Sequence, residues 1–190
     1  MQLLLLRHPE VFNPLNLCYG QMDMDLKEVN PQNVLELKNE IDSLKPIRVF
    51  SSISNRTLFL AEKLNLHPVQ KDSRLNEIHF GQWEGKPWME IPEKEINPWM
   101  YNYYFKATIQ GESYSDLFIR IDSFLDECIF PFQFLDQRIL LISHSGPIQC
   151  ILSRFLNINA YTIKQMTIPF SKIWKIELGR NQRPIVYPPK

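Results

Sequence analysis

The chain has 190 residues, with 21 basic and 21 acidic side chains and no net charge. It is sized for one domain with a three-layer core, and nothing draws it as a whole toward nucleic acid or a membrane surface, so any anion site must be local. Three cysteines without framework spacing (Cys18, Cys128, Cys150) read as free thiols in a reducing cytoplasm, and the apolar run at residues 3 to 6 is too short for a signal peptide or a membrane span.

Four consecutive leucines end abruptly in Arg7-His8-Pro9. The run predicts a short strand buried on both faces, as in parallel sheets covered by helices. A strand delivers its last residues to the carboxyl edge of the sheet, where open α/β folds place their ligands. Pro9 cannot donate to the ladder, so pairing should stop there, leaving Arg7 and His8 at a rigid rim. Residues 9 to 26 read as a long loop punctuated by Pro9, Asn13-Pro14 and Gly20. A loop of that length is more often functional or disordered than neutral.

Val34, Leu37, Ile41 and Leu44 recur at helical spacing and predict an amphipathic helix over residues 31 to 44. Residues 47 to 50 predict a second strand ending in Ser51-Ser52. Ser54 or Asn55 can cap the next helix, whose apolar residues are Leu58, Leu60, Ala61 and Leu64. A helix amino terminus offers free N–H groups to a phosphate, and Arg56 adds a planar fork. Taken alone, Arg56 reads as a solvated first-turn residue.

The stretch from Asp72 to Gly85 is the most distinctive in the chain. By pattern it is a tight turn with Trp83 in the core, Glu84 a surface carboxylate and His79 a structural residue. Residues 86 to 110 are dense in aromatics (Trp88, Trp99, Tyr101, Tyr103, Tyr104, Phe105), mostly expected to pack, and Pro87, Pro92 and Pro98 should prevent one long helix. Ser113 caps a helix with Asp116 at capping-box distance, and Leu117, Ile121, Phe124, Leu125 and Cys128 continue its buried stripe. Residues 138 to 142 predict a third strand, followed by Ser143-His144-Ser145-Gly146 and an apolar helix through Phe155. Closing strands are expected at 172 to 178 and 184 to 187, on either side of Gly179-Arg180-Asn181. No repeat or linker divides the chain. Average usage would give roughly 13 glycines, whereas there are 6, and five (Gly20, Gly81, Gly85, Gly111, Gly146) fall in the segments singled out here. Backbone must turn tightly or approach a ligand there, plain turns being the bland alternative.

Five segments together resemble the histidine phosphatase superfamily, with its phosphoglycerate-mutase-like fold. They are Arg7-His8 at a strand end, the Ser52-to-Arg56 spacing, Leu75-x-Glu77 with Phe80-Gly81-x-Trp83-Glu84-Gly85, Gly111-Glu112-Ser113, and His144 followed by small residues. His8-Pro9 with Cys18-Tyr19-Gly20, Asp23 and Leu26 is similar to the α-ribazole phosphatase branch. The resemblance implies an α/β fold: a three-layer α/β/α sandwich with a mostly parallel central sheet. It implies a single domain over residues 1–190, with a small helical or loop cap at about 86–110 over the sheet's carboxyl edge.

The same resemblance implies His8 as nucleophile, Glu77 as proton donor, and Arg7, Arg56 and His144 as catalytic groups that stabilise charge. Arg7, Arg56, Tyr19, Gly20, Ser145 and Gly146 are the implied substrate contacts. It calls for no metal and no cofactor; the partner is a small phosphorylated metabolite rather than nucleic acid or membrane, and a homodimer stays open. Members usually carry Gly after the first catalytic His, then Glu with Ser or Thr, where this chain has Pro9, Glu10 and Val11. Many have Gly-Gly where Ser145-Gly146 stands. Successive strand residues face opposite ways, so Arg7 and His8 reach one phosphate only if the pleat ends between them.

The implied activity is a metal-independent phosphomonoesterase working through a phosphohistidine, with α-ribazole 5′-phosphate the most specific substrate. The alternatives are another small phosphorylated metabolite such as a sugar phosphate, or a non-catalytic binder of a phosphorylated ligand. A mutase is less expected, because the chain is short for the insertions that hold a second phosphate. Ser143 stands where a serine-hydrolase elbow needs its first Gly, and close-spaced zinc ligands are lacking.

Overall fold

The computed structural model describes residues 1–179 and 183–189. In chain order its first elements are β1 (Gln2–Arg7), α1 (Pro31–Leu44), β2 (Arg48–Ser51), α2 (Asn55–Lys63), β3 (Gln70–Lys71) and α3 (Glu93–Asn102). Then come α4 (Tyr114–Cys128), β4 (Arg138–Ser143), α5 (Ser145–Leu156), α6 (Ala160–Lys164), β5 (Ile173–Glu177) and β6 (Ile185–Tyr187).

The leucines of β1 decide the layering. Leu3 and Leu5 join one hydrophobic cluster, Leu4 and Leu6 another, and all four are 0% exposed. Side chains alternate along a strand, so it can be apolar throughout only if both faces are covered. Burying each leucine contributes about 1.5–3 kcal/mol, which fixes β1 from both sides. The Leu3/Leu5 cluster holds Leu117, Ile121 and Phe124 of α4 and Ile148 and Leu152 of α5. The Leu4/Leu6 cluster holds Leu37 and Ile41 of α1 and Leu60 and Ala61 of α2. The fold is the expected α/β/α sandwich.

The strands form one sheet in the order β3-β2-β4-β1-β5-β6. Only β5 runs against its neighbours; the β1–β4, β2–β4 and β2–β3 pairs are parallel. The β1–β4 register runs from Gln2 opposite Arg138 to Arg7 opposite Ser143.

The helix over residues 31 to 44 and the closing strands stand where the sequence places them; Arg180-Asn181 lie outside the described residues. Two elements carry no sequence signal. β3 is two exposed polar residues, Gln70 and Lys71, paired only because β2 offers an open edge. α6 has five residues, started by Asn159, whose Oδ1 accepts from Thr162 N at 2.9 Å.

Pro98 does not interrupt the cap. It sits inside α3, which begins after Pro92. Its ring removes one hydrogen bond, to the carbonyl of the exposed Lys94, which water can satisfy. The cap is held by rings: Trp83, 1% exposed, donates from Nε1 to Glu95 Oε2 at 2.9 Å and lies 5.4 Å from Trp99, centroid to centroid. Phe80 meets Trp88 edge-on at 5.3 Å. Tyr101 and Phe105 depart from the packing expected for most of the set and stay exposed. No described helix is long and apolar enough to cross a membrane.

The capping box is formed with an aspartate: Ser113 Oγ accepts from Asp116 N at 3.2 Å, and Asp116 Oδ2 accepts from Ser113 N at 2.9 Å. Ser113→Ala is expected to cost about 1 kcal/mol, a fall in melting temperature of about 2–4 °C in thermal denaturation. An unchanged melting temperature would show that the box does not hold α4.

Candidate active site

The parallel register that ends with Arg7 opposite Ser143 brings the next residues, His8 and His144, to the same level. His8 N extends the ladder by one bond to Ser143 O at 3.1 Å, and the two imidazole centroids are 5.0 Å apart. β1 ends at Arg7. His8 Nδ1 lies 2.6 Å from Pro9 O. A carbonyl only accepts, so Nδ1 carries the proton and Nε2 keeps its lone pair. The contact uses the carbonyl of residue 9 alone, which proline retains; the missing N–H costs nothing here.

Arg7 lies with its guanidinium 3.6 Å from the Phe170 ring centroid and donates from Nη1 to Ile168 O at 2.6 Å. Its Nε is buried without an acceptor. Arg56, on the first turn of α2, is 1% exposed, which overturns the solvated reading its pattern alone suggests. It donates from Nη2 to Gly20 O at 2.6 Å, from Nη1 to Met22 O at 2.9 Å and from Nε to His144 Nδ1 at 3.2 Å. That last bond makes Nδ1 of His144 an acceptor, so its proton is on Nε2, 2.9 Å from Ser52 Oγ. Ser52 in turn donates to Asn76 Oδ1 at 2.7 Å.

Burial is the main reason that the His8 imidazole is pushed down to about 3; the Arg56 and Arg7 cations add to it, and only the Pro9 carbonyl opposes. His144 is likewise lowered, first by burial, then by His8, Arg56 and Arg7. Burial also lowers both arginines, with Glu77 the main opposing influence, but a guanidinium stays charged. The site therefore holds two cations and two neutral imidazoles at neutral pH.

Glu77 faces the amino end of α5. Its Oε1 accepts from Ile78 N at 3.0 Å and from Gly146 N at 3.1 Å, and Oε2 has a longer contact of 3.3 Å to Gly146 N. A Cβ at position 146 would run into this carboxylate, so glycine is needed for the approach. Tyr19, Gly20, Ser145 and Gly146, expected as substrate contacts, all line one cavity of about 160 Å³ with Glu77, Ile78, Phe80, Trp88 and Tyr114.

Residues 9 to 26 form an irregular but pinned loop. Val11 bridges Leu26, and Cys18 N donates to Lys86 O at 2.8 Å. Glu84 is no surface carboxylate: it accepts from Met22 N at 2.7 Å, Phe80 N at 2.9 Å and Gln21 N at 3.0 Å, and so fixes the loop beside Glu77. Cys18 is buried, which pushes its thiol up to about 12 and makes it a poor nucleophile. His79 has the expected structural role, its backbone N–H and C=O both bonded to Glu112.

Several contributors escape a sequence reading. Arg120 donates to the carbonyls of Arg74 (2.6 Å), Asn76 (2.8 Å) and Glu77 (2.9 Å) while pairing with Glu112 at 2.8 Å, and so straps the Glu77 segment to α4. Its only signal is a position beside the buried stripe. Asn76 and Phe170 carry none. Among the described residues no group of three or more His, Cys, Asp or Glu side chains could hold a metal ion.

Comparison with known proteins agrees with this geometry. A profile of the histidine phosphatase superfamily (branch 1) matches residues 3–187. Phosphoserine phosphatase 1 of Hydrogenobacter thermophilus is 28% identical over 167 residues, 84% of this chain and 78% of that protein. The 2,3-bisphosphoglycerate-dependent phosphoglycerate mutase of Bifidobacterium longum is 27% identical over 222 residues, 97% of this chain and 89% of that protein. The crystal structure of the α-ribazole phosphatase of Shigella flexneri superposes with a TM-score of 0.83 at 21% identity, covering 100% of this chain and 96% of that one.

The two lowered histidines link stability to pH. Below about 6.5 the unfolded chain binds protons on both while the folded chain does not, so stability is full above that pH and falls on acidification toward the folded value, about 3 for His8. The urea midpoint is expected to drop between pH 7 and 5, with a shallower slope in His8→Gln. Equal slopes in both proteins would mean that His8 takes up its proton in the folded state.

Proposed function

The chain belongs to the histidine phosphatase superfamily and is an enzyme of it, and from that premise we propose a phosphomonoesterase that works through a phosphohistidine on His8, without a metal. The observation that carries the reading is the His8 Nδ1 bond to Pro9 O, which leaves Nε2 unprotonated beside two guanidinium groups.

In the first step Nε2 of His8 attacks phosphorus in line, the bond to the leaving oxygen breaks, and Glu77 gives that oxygen its proton. Oε2, the less engaged oxygen, is where that proton would sit. In the second step water attacks the phosphohistidine, Glu77 takes the water's proton, and His8 and inorganic phosphate are released. Charge on the equatorial oxygens falls to Arg7 and Arg56, the latter held in place at its Nε by His144. Arg56 has five N–H bonds, and three are used by Gly20, Met22 and His144. Two remain for phosphate, joined by the unpaired Nε–H of Arg7.

The leaving group would lie in the cavity beside Glu77, between Phe80, Trp88 and Tyr114. Flat apolar walls suit an alcohol ending in a planar ring, and α-ribazole phosphatases are among the structures most similar to this chain. α-Ribazole 5′-phosphate is therefore the first candidate substrate. The phosphoserine phosphatase among the relatives keeps a second small phosphorylated metabolite as the alternative. A non-catalytic binder would have no use for a free Nε2 on His8 or for a carboxyl group at Glu77.

Phosphate release from α-ribazole 5′-phosphate, sugar phosphates and phosphoserine, with EDTA present, is expected to show turnover that His8→Ala abolishes. Turnover of none by folded protein would favour the binding alternative. Gly146→Ala, which displaces the Glu77 carboxylate, is expected to lower kcat about 10²-fold with little change in unfolding midpoint, since general-acid help is worth about 10²–10⁴. An unaltered kcat would remove Glu77 from the chemistry.

A further inference from the structure

His144 sits in a row of hydrogen bonds that begins at the phosphate site and ends beside Glu77. Arg56 Nε donates to His144 Nδ1 at 3.2 Å, His144 Nε2 meets Ser52 Oγ at 2.9 Å, and Ser52 Oγ meets Asn76 Oδ1 at 2.7 Å. Ser52 and His144 are 0% exposed and Arg56 1%, so their polar atoms depend on partners within the protein.

The sense of the row is fixed at both ends. Asn76 Oδ1 also accepts from Ile53 N at 3.2 Å. A backbone N–H can only donate, so the amide atom facing Ser52 is the oxygen, and the Ser52 proton goes to it. Ser52 Oγ accepts from Ser54 N at 3.2 Å as well, which leaves it one lone pair and no proton for His144. His144 therefore offers Nε2–H to Ser52 and turns a lone pair at Nδ1 toward Arg56. At the other end a guanidinium, which can only donate, asks for the same tautomer. The opposite tautomer would set Nδ1–H against Arg56 Nε–H, donor to donor in a dry pocket.

The Asn76 end is the rigid one. Arg120 holds the carbonyls of Asn76 at 2.8 Å and of Glu77 at 2.9 Å, and Asn76 N donates to Ser73 O at 3.0 Å. The side chain thus leaves a backbone that is fixed without help from Ser52. Asn76 is also next to Glu77, so one segment carries the proposed proton donor and closes the row that reaches the proposed phosphate ligand Arg56.

We propose that Asn76 is a positioning residue for the phosphoryl transfer. Through Ser52 it holds His144 in the Nε2–H tautomer, and through His144 it keeps Arg56 in the pose that leaves two N–H bonds for phosphate. It touches no substrate itself. The inference rests on the phosphomonoesterase reading for phosphate as the ligand, but the tautomer can be read without turnover.

The test is nitrogen NMR of protein labelled with 15N-histidine; the chain has four histidines, and His144→Gln assigns the resonances of interest. Wild-type protein is expected to show His144 with its proton on Nε2 alone. Asn76→Ala is expected to mix the two tautomers and to weaken inorganic phosphate about tenfold in Kd, the size of the one charged hydrogen bond between Arg56 and His144. Asn76→Asp, which keeps an acceptor oxygen in the same place, is expected to retain the single tautomer. Ser52→Ala cuts the row one link nearer to His144, so adding Asn76→Ala to it is expected to weaken phosphate no further. An unchanged tautomer in Asn76→Ala, or mixing alike in the Ala and Asp variants, would reduce Asn76 to a residue that pins Ile53 and overturn the proposal. Penalties on phosphate binding that simply add in the double variant would overturn it too. If His144 and phosphate respond as expected but no phosphate ester is turned over, the positioning role stands and the phosphatase reading falls.

Discussion

The parallel pairing of β1 with β4 is the constraint on which the site depends. Its register is limited by the length of the apolar run: Leu3 to Leu6 are buried between two layers, and slipping by one residue would carry Gln2 or Arg7 into a buried position. That cost sets His8 beside His144 at the carboxyl edge. The loops then complete the site from above: Glu84 fixes the segment around Gly20, Arg120 fixes the segment that carries Glu77, and Gly146 lets the Glu77 carboxylate approach the start of α5.

Electrostatics leave this placement with an unprotonated imidazole nitrogen beside two cations. Two imidazolium charges 5.0 Å apart would repel by about 3 kcal/mol at an effective dielectric near 20, and the flanking arginines add to that penalty. Burial and like charge therefore work in one direction, keeping both rings neutral where an isolated histidine would be partly protonated. The hydrogen bonds then settle which nitrogen is unprotonated: Nε2 on His8, because the Nδ1 proton goes to a carbonyl; Nδ1 on His144, because it accepts from Arg56. The charge proposed to bind a phosphate and the neutral base proposed to attack it are consequences of the same desolvated pocket.

Much of this is legible in the sequence because it follows from local pattern. An apolar run closed by Arg7-His8-Pro9 reads as a strand end, and the same logic places His144; helix spacing gives α1, and Ser113 with Asp116 starts α4. What is hidden depends on partners distant in sequence. Arg120 acts on carbonyls 43 to 46 residues away, and nothing adjacent to it marks that role. Arg56 reads as solvated because its burial is supplied by the loop around Gly20 and Met22, and Glu84 reads as a surface charge because its acceptor role is to backbone N–H groups of that same loop. Pro98 is overestimated as a breaker because one lost bond at an exposed carbonyl is a small defect in a helix anchored by Trp99. β3 and α6 are too short to have a period at all.

The central claim is a covalent bond between His8 Nε2 and phosphorus. It is tested most directly by quenching turnover of labelled substrate in alkali within milliseconds and locating the label by mass spectrometry. The account predicts an acid-labile, alkali-stable phosphoryl group on His8, absent from His8→Ala and accumulating in Glu77→Gln when the leaving group needs no proton. A label on any other residue, or steady turnover with no label while water oxygen enters phosphate in a single inverting step, would contradict it.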